Sequence, residues 1–187
     1  MDNGEIVTQA CNILRKVYSE INKLKADLLE ILQTTSPTME FIQEYSYGTN
    51  TLWVKDWHSI LFHEISTDKE HNKEDEENYF GVVIIFYDSG RETKHLENGK
   101  EPELWGMLVK VSGSKHKVGP WDFASVLKDS SYLTPKELRA NGSIYKYLYD
   151  KKDKYGKWEG IFTGCKLTEI SSREMIEELV INKLFKL

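Results

Sequence analysis

The chain has 187 residues, of which 40% are hydrophobic and 29% charged, and its formal net charge is -5. A chain of that length and balance can bury a core of its own, which excludes a disordered segment and a miniature fold dependent on disulfides or metal. Much of the negative charge sits between Asp68 and Glu77, six acids against two lysines, which marks a solvated loop over 66–78 and leaves the rest of the molecule near neutral.

The chain opens on its most regular pattern. Val7, Ala10, Leu14, Val17, Ile21, Leu24, Leu28 and Ile31 recur at alternating steps of three and four, an a/d seam with a polar outer surface. Thr34-Thr35-Ser36-Pro37 stops it, because proline lacks the N–H and disfavours helix in the residue before it. A helix of about 28 residues, roughly 42 Å long, is predicted within residues 1–35. It would overhang a sheet only about 20 Å across, so its stripe, widened by Ile6, Ile13, Leu29 and Leu32, is expected to pack on its own sheet, on a C-terminal helix or on a second copy of the chain. The first residues fit neither a signal nor a transit peptide, and the longest apolar run, 80–87, falls far short of the roughly 20 residues that span a bilayer. With Cys11 and Cys165 the only cysteines, a reducing compartment is indicated and a cytoplasmic location expected.

After the proline the period changes to two. Met39, Phe41, Gln43, Tyr45 and Tyr47 alternate with Glu40, Ile42, Glu44 and Ser46, as in a half-exposed strand, and Gly-Thr-Asn at 48–50 reads as its turn. The return segment 52–65 fits strand or helix and is read as strand. Residues 79–88 are apolar and rich in β-branched side chains, as in a strand buried on both faces, and 103–113 is expected to pair antiparallel with it. A short helix over 122–128 follows Gly119-Pro120. A second is expected from Thr134, with Pro135 at its first position and Asn141-Gly142 at its close. Strands at 144–149 and 158–170 flank a basic hairpin tip at 150–156. A helix from Ser171 or Ser172 follows, with Ile176, Val180 and Leu184 on its apolar face. This succession predicts an α+β fold, an antiparallel sheet of about five or six strands covered on one face by the N- and C-terminal helices, in one domain over 1–187.

Chemistry-bearing patterns are sparse. Neither GxxxxGK[ST] nor GxGxxG occurs, and Ser-Gly-Ser-Lys-His-Lys at 112–117, small and basic enough to cradle an anion, lacks the helix that would make it specific. His58 and His63 fall on opposite faces of a strand, and His63-Glu64 has no second histidine to complete HExxH, so neither metal nor cofactor is expected. His71, His95 and His116 lie in polar connections without a carboxylate at a recognisable ligand spacing. A metal-dependent hydrolase or nuclease is the second reading; its site would be assembled from dispersed residues, starting from His58, His63, Glu64 and Asp88, with Glu103 and Lys110 at the wrong spacing for a nuclease.

Tyr145, Tyr147 and Tyr149 share one strand face, as do Trp158 and Phe162 on the next, and such a face is core or binding platform. Lys152, Lys154 and Tyr155 at the adjoining tip add the charge and ring that single-stranded nucleic acid requires. The patterns together point to a non-enzymatic interaction or ligand-binding module. It self-associates as a homodimer through the seam from Val7 to Ile31. It contacts another protein or a small ligand through Tyr145, Tyr147, Tyr149, Tyr155, Trp158, Lys152 and Lys154. Nucleic acid ranks last among the partners, and no membrane contact is expected.

Overall fold

The computed structural model describes residues 3–47, 57–65, 76–85, 102–127, 137–141, 144–150 and 154–185. Helix α1, Asn3–Thr35, has 33 residues, and the Ser36 N–H still reaches the Leu32 carbonyl at 2.8 Å before Pro37 ends the ladder. Strands β1 (Met39–Tyr47), β2 (Trp57–Glu64), β3 (Glu76–Ile85) and β4 (Glu103–Ser112) form an antiparallel meander. Helix α2, Pro120–Leu127, precedes β5 (Glu137–Asn141), β6 (Ile144–Asp150) and β7 (Lys157–Lys166). A 3-10 turn, Leu167–Glu169, leads to a last helix of three consecutive pieces, Arg173–Ile176, π-helical Glu177–Ile181 and Asn182–Phe185, together called α3. The seven strands make one sheet in the order β1-β2-β3-β4-β7-β6-β5, which is the α+β class the sequence predicts.

Alternation along each strand sorts the side chains into two layers. On one face Ile60, Phe62, Phe80, Val82, Ile84 and Leu104 pack with Leu28, Ile31 and Leu32 of α1 and with Ile176, Val180 and Leu184 of α3. On the other, Leu61, Val83, Met107, Phe162 and Trp158 pack with Phe123, Val126 and Leu127 of α2. Helices therefore cover both faces, not one, and β3, buried from Tyr79 to Ile85, is the doubly covered strand its apolar run implies. Two strand glycines seat these covers. A Cβ at Gly81 would stand 2.2 Å from the Phe123 ring, and one at Gly106 2.4 Å from Val180 Cγ1, so each helix rests directly on strand backbone.

Other expectations change as well. Residues 137–141 are strand β5, paired with β6 from Glu137↔Leu148 to Asn141↔Ile144, and not a second short helix. Only Gly142 and Ser143 separate that last pair in sequence, and Gly-Ser between two strand runs is a hairpin signal that competes with the helix-end reading of Asn141-Gly142. In β1 the register shifts between Phe41 and Gln43. The bulge at Ile42 flips the alternation, so that the side of the strand bearing Met39 and Phe41 continues through Glu44 and not through Gln43. Strand β7 ends at Lys166, short of 170. The turn at 48–50 and residues 66–75 lie outside the described residues, while Glu76, Glu77 and Asn78, read as the end of the acidic loop, begin strand β3 because they pair with Ser112, Val111 and Lys110 of β4. Among the described residues no helix is long and apolar enough to cross a membrane.

Candidate functional site

The two covering helices of the first layer are tied by Arg173 to Glu30 at 2.6 Å. On the N-terminal side of that tie, between α1 and the start of α3, lies an open groove of about 650 Å³. Its apolar lining includes Ile21 and Leu24 from α1, Ile84 from the end of β3, Leu167 and Ile170 from the segment entering α3, and Ile176 from the first piece of α3. Volume and lining are those of a site for an apolar ligand or side-chain cluster. Lys16, Glu20, Lys23 and Asp27 also line it. Their spacing of four, three and four sets all four charges in one stripe along α1, and Lys16, Glu20 and Lys23 are exposed.

The predicted seam is thus divided along its length. Leu28 and Ile31 are wholly buried against the chain's own sheet, and Ile21 is nearly so. Leu24 is half-buried at the groove. The side chains of Val7, Ala10, Leu14 and Val17 lie outside the described residues, although the helix carrying them is described.

The aromatic strand face is brought together as predicted, and it is core. Tyr147, Tyr149 and Trp158 are at most 2% exposed, and the Trp158 indole N–H is taken up by the Tyr155 carbonyl at 2.8 Å. Burial first, then the neighbouring Tyr149 and Asp122, pushes the Tyr147 phenol far above its ordinary range. Tyr145 and Tyr155 are half-buried at the margin of this cluster. Tyr145 stacks on Phe162 with centroids 5.0 Å apart, and Lys154 Nζ stands 5.0 Å from the Tyr155 ring centre. Lys152 lies outside the described residues.

Of the residues named for a dispersed catalytic site, His58, His63 and Glu64 are described, and they do not converge on one point. His58 sits on the α1 face, 3.9 Å from Glu44, which is held by Lys25 at 2.6 Å. His63 sits on the α2 face, its ring 4.9 Å from that of Tyr79. Glu64 borders a smaller cavity of about 350 Å³ and accepts hydrogen bonds from Thr38 Oγ1 at 3.1 Å and Asn78 Nδ2 at 2.7 Å, which ties the residue before β1 to β2 and β3. Asp88 lies outside the described residues. Among the described residues no group of three histidines, cysteines or carboxylates is placed to share a metal ion.

Two arrangements escape a reading of the sequence. The charged stripe of α1 is legible in the spacing but is hidden behind the more regular apolar seam. The other joins a loop to a helix: His116 Nε2 lies 3.1 Å from Asp122 Oδ2, and the same carboxylate oxygen accepts the Gly119 N–H at 2.8 Å. No protein family matches this chain, and neither does any curated protein or solved structure.

Proposed function

We propose that this chain is a non-enzymatic interaction module that pairs with a second copy of itself through α1, the two helices lying antiparallel along their grooves. The observation that carries this reading is the order of charge at the groove, Lys16, Glu20, Lys23, Asp27. Read backwards, that order is its own complement. In an antiparallel pair centred between Ile21 and Asn22, Lys16 faces Asp27 of the other copy and Glu20 faces Lys23. A twofold interface needs such a self-complementary surface. Ile21 and Leu24 lie at the centre of the contact and lose their remaining exposure. Opposite charges at the rim fix register and orientation more than they add affinity.

Charge reversal tests this. Light scattering over about a hundredfold range of concentration should give a dimer for the intact chain and a monomer for Lys16→Glu with Lys23→Glu, whose stripe is wholly acidic. The same holds for Glu20→Lys with Asp27→Lys, whose stripe is wholly basic. An equimolar mixture of the two variants should recover the dimer. A monomeric intact chain, or variants that remain dimeric alone, would overturn the proposal. Deleting α1 is a poorer test, because Leu28 and Ile31 belong to the core.

The groove's volume supports a second reading, a site for a small apolar ligand. A monomeric chain whose melting temperature rises with such a ligand, and whose Leu24→Lys variant loses that rise, is the expected outcome under it.

A further inference from the structure

The groove adjoins the start of β4. The far end of that strand, roughly 30 Å away at about 3.3 Å per residue, carries a different surface, independent of the pairing proposed above. There the loop after β4 and the hairpin tip before β7 are joined backbone to backbone. The Lys154 carbonyl accepts the N–H of Lys115 at 2.9 Å and of His116 at 3.0 Å. Gly156, at φ 69, lies so close to this loop that a Cβ there would meet the Ser112 carbonyl oxygen at 2.3 Å. Two lysine-rich segments 40 residues apart thus become one surface.

We infer that this surface binds single-stranded nucleic acid. Its lysines fall into two groups. Lys157 is held by Glu159 at 2.8 Å and Lys110 by Glu76 at 2.9 Å, and Asp150 lies opposite Lys157 in the β6–β7 register. Lys115, Lys117 and Lys154 are exposed and make no ion pair among the described residues, so their charge is available to a partner's phosphates. Rings stand among them. The His116 ring meets Tyr155 edge to face with centroids 4.8 Å apart, and Trp121, in the first turn of α2, is 39% exposed. The His116–Asp122 contact fixes this turn to the basic loop, so cations and stacking surface keep a set relation before any partner arrives. Cations without an ion pair among the described residues, beside a partly exposed tryptophan, fit unstacked bases on a phosphate chain. A duplex hides its base faces, and an anionic membrane would need charge alone.

Fluorescence anisotropy of a labelled oligothymidylate of about 12 nucleotides provides the test. Micromolar binding is expected at about 20 mM salt, weakening with salt by roughly 0.7 in log–log slope for each phosphate neutralised. Lys115→Glu, Lys117→Glu and Lys154→Glu together should raise Kd by about tenfold or more and flatten the slope by about 2. Trp121→Ala should weaken binding several-fold while Trp121→Phe preserves most of it, a difference that charge alone does not produce. Melting temperatures like that of the parent chain would show that these exposed substitutions spare the fold. Absence of binding at about 100 µM protein and low salt would overturn the inference. So would binding indifferent to Trp121, or tighter binding of a duplex or of anionic vesicles.

Discussion

Gly106 has no side chain, and α3 rests in the space this leaves. A methyl group there would collide with Val180 Cγ1 at 2.4 Å, and because Val180 is fully buried it has nowhere to yield. Gly106→Ala is expected to lower stability by about 1–3 kcal/mol in urea unfolding, with part recovered on adding Val180→Ala. Tyr147 gives a pH dependence. Its folded pKa is raised above the ordinary 10.0, first by burial, then by Tyr149 and Asp122. The native state therefore holds the phenolic proton more tightly than the unfolded chain does. The stability this contributes is fully present below pH 10 and is lost as pH climbs above it. Phenolate absorbance and loss of the folded signal should rise together in an alkaline titration, and Tyr147→Phe should unfold at a higher pH. Cys165 offers a third test: burial, with Glu169 adding to it, lifts its thiol to about 11. It should react with a thiol reagent far more slowly than the exposed Cys11, until denaturant makes the two alike.

Element α1 joins the core through one half of its length, where Leu28, Ile31 and Leu32 are buried. Its second half is core, so Leu28→Ala is expected to cost about 2–5 kcal/mol, read from the denaturation midpoint. Lys23→Ala, at the exposed rim, should stay within about 0.5 kcal/mol. The helix is legible in the sequence because its seam keeps one period over four heptads and Ser36-Pro37 ends it. The strands are legible where burial imposes alternation or an unbroken apolar run, as in β3 and β4. Segment 137–141 reads wrongly as helix because Thr134-Pro135 and Asn141-Gly142 suit one, and nothing local reveals that β6 offers it a ladder of hydrogen bonds. The tyrosine face shows the same limit. Spacing puts the three rings on one side of β6, but whether that side is core depends on the packing against it, including Phe123 from a helix more than 20 residues away in sequence. The His116–Asp122 contact has no periodic signature either, since it joins an irregular loop to a helix.

Across the whole molecule, strand order and burial predict unequal stability. Amides of β3 and β4, at the centre of the sheet, should exchange with solvent deuterium only through global unfolding, while those of the five-residue edge strand β5 should exchange through smaller, local openings. Equal protection in β5 and β4 would show instead that the sheet opens as a single unit. The first layer also joins the two ends of the described chain, since Leu28 and Ile31 share their core with Ile176 and Val180. On a ribosome these partners appear about 145 residues apart, which at about 5–20 residues per second is a delay of roughly 7–30 s. For that interval the seam of α1 lacks the cover α3 will give it, and the nearest identical seam belongs to a neighbouring nascent chain on the same messenger. The pairing proposed through α1 would therefore begin most readily during translation, between chains whose sheets are still incomplete.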